Sequence, residues 1–372
     1  MNKFVLSALA LTSAGGLASA GTGSEEWLTL DREIESLASA QQASPQGQST
    51  GLTVGGFIRT SYQNSSDIDV GANDLGGFSL DNARVNVEGH IGDYMLYVQL
   101  EGAEAVTAAP SPGDGLLNGP SEGGSVEVLD AYGAWNINEM FRLTMGQFRS
   151  PFLGSAQLDE DSLLFLDRTL LGYIWAARDL GVMLSGQYDM LGWWIAAQNG
   201  LDSVGDDLAF SARVAFDAMG GANARNKVEG AYGAAEGTLL EVSAGYYQDD
   251  DTIVDDVMAW NVEGNLVMGP FSAAASYVDH DDGFATLLAG NFTEGPSIMA
   301  LTAGFMFVPD RWEVAARYED LDDEDDTSVI TVGLNYYAVG HDAKWQVNYA
   351  MVDSDDDALE ADILGIGLTV GV

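Results

Sequence analysis

The sequence predicts an all-β protein, a transmembrane antiparallel β-barrel of about sixteen strands with a short N-terminal helix before it. Three observations lead there. The chain opens on an export-type segment, and after it no apolar run reaches the roughly 18 residues of a membrane helix, so any crossing falls to strands. From Gly51 onward, segment after segment alternates apolar and polar side chains with period two. The connections between these segments alternate short and long, as they do where tight turns close one end of a barrel and loops the other.

Composition narrows the partners. The 372 residues include 45 glycines and no cysteine, and 57 acidic side chains stand against 14 lysines and arginines, for a formal net charge of −43. That charge excludes nucleic acid and disfavours anionic surfaces. It suits cations or a saline setting. No disulfide framework is available.

The elements follow in order. Residues 1–20 have the makeup of a signal peptide: Lys3, an apolar core from Phe4 to Leu11, and the small residues Ala18-Ser19-Ala20 before the cut. Residues 21–50 are expected to form a periplasmic helix and a polar linker. Ser24 is placed to cap that helix, Glu25 and Glu26 suit its dipole, and Trp27, Leu30, Ile34 and Leu37 fall at heptad spacing. Residues 51–372 are the barrel, with strands expected near 51–62, 77–91, 93–103, 126–137, 140–149, 178–188, 190–199, 207–217, 238–248, 256–267, 270–279, 297–308, 310–319, 327–338, 341–352 and 359–372.

One face of each strand is apolar, as in Val85/Val87/Ile91, Tyr94/Leu96/Val98/Leu100, Leu129/Trp135/Ile137, Phe210/Val214/Phe216 and Trp345/Val347/Tyr349/Met351. The other face is polar and charged. Period alone cannot say which face points out. Burying so many charges in a dry core would cost several kcal/mol each, whereas a watery lumen hydrates them, so the apolar rows are assigned to lipid.

The connections near 92, 139, 189, 269, 309 and 340 are tight, and those at 63–76, 104–125, 149–177, 200–206, 249–255, 280–296, 320–326 and 353–358 are longer. Residues 218–237 break the rule, being long where a turn is due. The connection at 149–177 is unusually apolar, with Leu163, Leu164, Phe165, Leu166, Leu170, Leu171, Ile174 and Trp175. A long apolar connector needs a surface to bury it, and the lumen is the candidate. An ordinary packed helical insertion would bury it as well.

The stretches GGFIRTSY, SLDNARVNVEGHIGDYMLYVQLEG, VLDAYGAWNI, LTMGQFRSPF, LLFLDR and ARDLGV, in that order over most of 51–190, resemble the phosphate-selective porins O and P. The resemblance implies a homotrimeric sixteen-stranded outer-membrane pore, a third loop folded inward as a constriction, and a short periplasmic segment before the barrel. Two features depart from that family. Lysine and arginine are scarce, and the chain ends on Val372 rather than an aromatic residue.

A pore does no covalent chemistry; its functional residues set the field along the path. The expected constriction comprises Arg149, Asp159, Glu160, Asp161, Asp167, Arg168 and Arg178. The expected lumen wall comprises Arg59, Arg84, Glu88, Glu101, Asp130, Arg142, Arg213, Glu263, Arg317 and Lys344. Opposed charges there set a transverse field, or else pin the loop to the wall. The long loops are acidic, with only Arg149, Arg168 and Arg178 as cations, which makes a cation-attracting mouth. The expected partners are the outer-membrane bilayer, small ions and solutes, and, as the resemblance implies, two further copies of the chain. No cofactor or metal is expected: Asp353, Asp355 and Asp357 have EF-hand-like spacing, but Ala358 stands where the turn glycine belongs. His90, His280 and His341 lack a nucleophile motif, which disfavours a hydrolase. A substrate-specific anion or phosphate channel and a plugged structural barrel are compatible with the same residues.

Overall fold

The computed structural model describes residues 51–66, 75–102, 126–201, 207–220, 229–232, 238–251, 255–287, 295–356 and 359–372. The signal segment and the N-terminal helix expected from the sequence lie outside the described residues. The strands are β1 (Gly51–Ser66), β2 (Leu75–Ile91), β3 (Tyr94–Glu101), β4 (Glu127–Asn138), β5 (Phe141–Arg149), β6 (Arg178–Tyr188), β7 (Leu191–Gln198), β8 (Ala209–Met219), β9 (Thr238–Asp251), β10 (Asp255–Met268), β11 (Phe271–His280), β12 (Ser297–Val308), β13 (Trp312–Asp320), β14 (Ser328–Val339), β15 (Ala343–Asp353) and β16 (Ala361–Gly371). Every strand pairs antiparallel with its sequence neighbours, and β1 pairs with β16 to close the ring.

The seam is sealed by the chain end itself. Val372 N–H donates to the Gly56 carbonyl at 2.9 Å, and Gly56 N–H returns a bond to Val372 at 3.2 Å. A closed ring leaves no unpaired edge, the condition for a sheet to stand in lipid. No helix among the described residues is long and apolar enough to cross a membrane.

The two faces sort as the alternation requires. Along β8, Phe210, Val214 and Phe216 are 55%, 50% and 48% exposed, while Ser211, Arg213 and Asp217 between them are each 3% exposed. Large apolar side chains outside and charges inside invert the pattern of a soluble protein. Leu129 is a correction. A β-bulge between Gln99 and Leu100 sets Val128 opposite Leu100 and Asp130 opposite Gln99, so Val128 takes the outward place expected of Leu129. Aromatic pairs gather near the tight turns: Tyr94–Trp135 at 6.0 Å, Phe141–Trp193 at 5.7 Å, Phe271–Phe305 at 4.6 Å and Trp312–Tyr336 at 4.8 Å. They form a girdle at the short-turn rim.

β9 and β10 extend further into the long-loop side than the sequence suggests. Asp250 and Asp256 face each other in the ladder, an arrangement of like charges that strand propensity disfavours. The aspartates signalled a loop there, and continued backbone pairing carries the ladder past them.

Candidate pore constriction

The connection from Ser150 to Ala177 folds into the barrel. Two short 3-10 turns, Ser155–Gln157 and Glu160–Ser162, and the helix α1 (Leu170–Ile174) give it shape. Thr169 caps α1, its Oγ1 accepting from Gly172 N–H at 2.9 Å. Apolar side chains anchor the two ends of the loop. Phe152, Leu153, Ala156, Leu171 and Trp175 pack with Ala209, Tyr247, Val257, Ala259, Val278 and Ile298 of the wall. These wall residues occupy inward positions and are apolar where the rest of the lumen is polar. Trp175 lies 4.0 Å from the Phe152 ring and 5.0 Å from Tyr247, and its indole N–H donates to His280 Nε2 at 3.3 Å.

The first end and the middle of the loop are also held by polar wall residues through the loop backbone. Asn261 of β10 donates to Phe152 O at 2.8 Å, and the Glu263 carboxylate accepts from Gly154 and Ser155 N–H at 2.5 and 3.0 Å. Lys344 donates to Leu163 O at 2.6 Å, Asn335 to Leu164 O at 3.0 Å, Arg317 to Asp167 O at 2.9 Å, and Arg59 to Leu166 O. These bonds satisfy buried groups on both partners, which is what fixes an irregular segment inside a barrel.

The charged centre lies against β2–β6. Glu160 meets Arg84, and Arg168 reaches it at 2.8 Å. Asp159 accepts from Arg149 at 3.1 Å and lies 3.3 Å from Arg84. Arg84 is braced from behind by Glu101 at 2.8 Å, and Arg178 pairs with Asp130 at 3.3 Å. Burial alone would raise the Glu160 carboxyl, but Arg168, Arg84 and Arg149 outweigh it and hold the group well below the usual carboxylate range. Asp167 lies apart from this cluster, near Arg59 and Arg317. Burial pushes its carboxyl up against the pull of those two guanidiniums. The Asp161 carbonyl accepts from His341 at 3.2 Å.

Of the seventeen residues predicted from sequence, Arg84, Arg149, Asp159, Glu160, Arg168 and Arg178 are thus brought together with Glu101 and Asp130. Arg59, Glu263, Arg317 and Lys344 hold the loop backbone. Arg213 lies over Trp194 at 4.1 Å. Arg142 lines a cavity of about 580 Å³ at the short-turn rim with Asn136, Ser185 and Trp194. Glu88 pairs with His90 at 2.7 Å on a half-exposed part of β2. β2 and β10 lie half-way round the ring from each other, so the loop crosses the lumen rather than hugging one side.

A family model described as Gram-negative porin matches residues 7–357. The chain belongs to the Gram-negative porin family. It is accordingly an outer-membrane channel. No curated protein sequence matches it. Solved structures share the fold at low identity. A loop-deletion variant of OmpT of Vibrio cholerae aligns with TM-score 0.59 and 14% identity, over 87% of this chain and 99% of that one. DcaP of Acinetobacter baumannii aligns at 0.56 and 14%, over 87% and 97%. An anion-selective porin from Comamonas acidovorans aligns at 0.55 and 12%, over 87% and 100%.

Sequence reasoning missed the berth for the loop in this porin. Inward-facing glycines on the wall receive its side chains. A Cβ at Gly333 would stand 3.0 Å from the Phe165 ring, and one at Gly367 would run into Leu166. Inward position combined with glycine is the signal that could have found them. The three histidines are scattered: His280 under Trp175, His341 at the turn after β14, and His90 beside Glu88.

Proposed function

We propose that this porin passes small hydrophilic solutes and ions by passive diffusion, with cations gathered at an acidic long-loop mouth. The observation that carries the reading is a closed barrel, apolar outside, whose lumen is crossed by a charged loop. The charge cluster of Asp159, Glu160, Arg84, Arg149, Arg168 and Arg178 lies against the same β2–β7 sector as the cavity beside Arg142.

The mouth is supported by the way two acidic connections tie together. Asp355 N–H donates to Asp325 O at 2.7 Å, and Thr327 and Ser354 hydroxyls meet at 2.9 Å. This holds the carboxylates of Asp320–Asp326 and Asp353–Asp356 on one sector of the rim. The clustered guanidiniums favour a second reading, an anion or phosphate channel, in keeping with the narrower resemblance to phosphate-selective porins. The relative from Comamonas acidovorans is itself anion-selective. A homotrimer and a cleaved signal at 1–20 complete the reading.

Planar bilayers test it. Stepwise conductance is expected, with a reversal potential in a KCl gradient of the sign for cation preference. The opposite sign selects the anion reading, and a folded protein that never opens steps leaves a plugged structural barrel.

A further inference from the structure

We propose that residues 229–232, within the connection between β8 and β9, are a second constriction element that clamps the tip of the inward loop inside the lumen. The inference rests on the channel reading above. At the short-turn rim the other hairpins close in tight turns, for which about two residues suffice. Here β8 ends at Met219 and β9 starts at Thr238.

Residues 229–232 of this connection are found inside the barrel, not beyond the rim. Glu229 N–H donates to Ser162 O at 2.9 Å, and the Glu229 carboxylate accepts from Leu164 N–H at 2.9 Å. That is a two-point bond to the loop tip, one from backbone and one from side chain. Ala231 N–H donates to the Glu313 carboxylate of β13 at 2.9 Å. Tyr232 stacks on Tyr337 of β14 at 4.4 Å and meets His341 edge-on at 5.6 Å. Glu313 and Tyr337 face inward and are almost wholly buried. Gly230 has φ +80, and a Cβ there would stand 2.9 Å from both Glu313 and Leu164. Only glycine fits that approach.

β13 and β14, which hold residues 229–232, are four to five strands round the ring from β9. The loop tip at 162–164 is gripped by Glu229 as well as by Lys344 and Asn335 of the wall. The two inward segments meet beside β13 and β14.

Two variants test this. In one, 220–237 is replaced by an Asn-Gly turn; in the other, Glu229→Ala is combined with Tyr232→Ala. Each is compared with the unaltered protein by single-channel conductance and by liposome swelling in neutral sugars of graded size. The shortened variant is expected to conduct more and to admit larger sugars. The double variant is expected to move both readouts in the same direction by less, with added current noise. If the shortened variant does not fold, the double variant decides alone. An unaltered protein that conducts while folded variants match it in both readouts overturns the clamp and leaves the channel reading intact. A silent unaltered protein with a conducting variant supports the clamp as a closure. Silence in all overturns both.

Discussion

Glu160 gathers the guanidiniums of Arg84 and Arg168, with Arg149 at 3.9 Å. Removing its charge leaves three close cations with one fewer partner, and breaking such a buried arrangement typically costs about 3–5 kcal/mol. Glu160→Gln is expected to lower the urea midpoint of the detergent-refolded protein and to raise single-channel noise. The pH dependence has a definite sign. A depressed carboxyl contributes stability that is fully present above its ordinary value near 4.5 and is lost as pH falls further. His341 responds earlier. Burial and the Lys344 ammonium push it down to about 3, against hydrogen bonds to the backbone of Asp161 and Tyr232. Its neutral ring contributes fully above 6.5, and that contribution falls away as pH drops toward 3. Bilayer recordings from about pH 8 to about pH 4 are expected to show rising noise below about 6.5, and His341→Gln is expected to flatten that limb. Asp161, Glu229, Glu313 and Lys344 also face this junction.

At the scale of the element, the loop is a strap with greasy ends and a polar-bonded middle. Trp175 sits in a ring of Phe152, Tyr247, His280 and the α2 (Asp282–Leu287) residue Phe284. Trp175→Ala is expected to cost about 3–5 kcal/mol, read as a lower unfolding midpoint. Gly333→Leu drives a side chain into Phe165 and is expected to displace the loop and raise conductance. The loop itself was legible because Leu163 to Leu166 and Trp175 are too apolar for a surface connection. Its berth was not. Ala209, Val257, Ala259 and Val278 are apolar at inward positions, so at the long-loop ends of these strands both faces are greasy and period two carries no sign there. The inward course of 229–232 was illegible for a different reason: its anchors, Glu313 and Tyr337, lie more than eighty residues downstream.

Across the whole molecule, the strands were the most legible part, since lipid outside and water inside impose the alternation at every step. β6 and β12 fall at the expected residues, while β9 and β10 outrun them because ladder bonds override the repulsion of facing aspartates. The net charge of −43 yields a prediction at this scale. Screening lengths shrink from about 30 Å at 0.01 M salt to about 3 Å at 1 M, so cation preference should be strongest in dilute KCl and fade in concentrated KCl. Asparagine at the aspartates of 320–326 and 353–356 should remove that salt dependence, measured as reversal potentials at a fixed gradient ratio. The crossing strap also dictates an order of assembly. Leu163 and Leu166 are held by Lys344 and Asn348, 181 and 182 positions later in the chain. Earlier strands already offer the strap Arg84, Asn261 and Glu263, so what waits for the final hairpins is the hold on Leu163 and Leu166, the last part of the narrowing to be fastened.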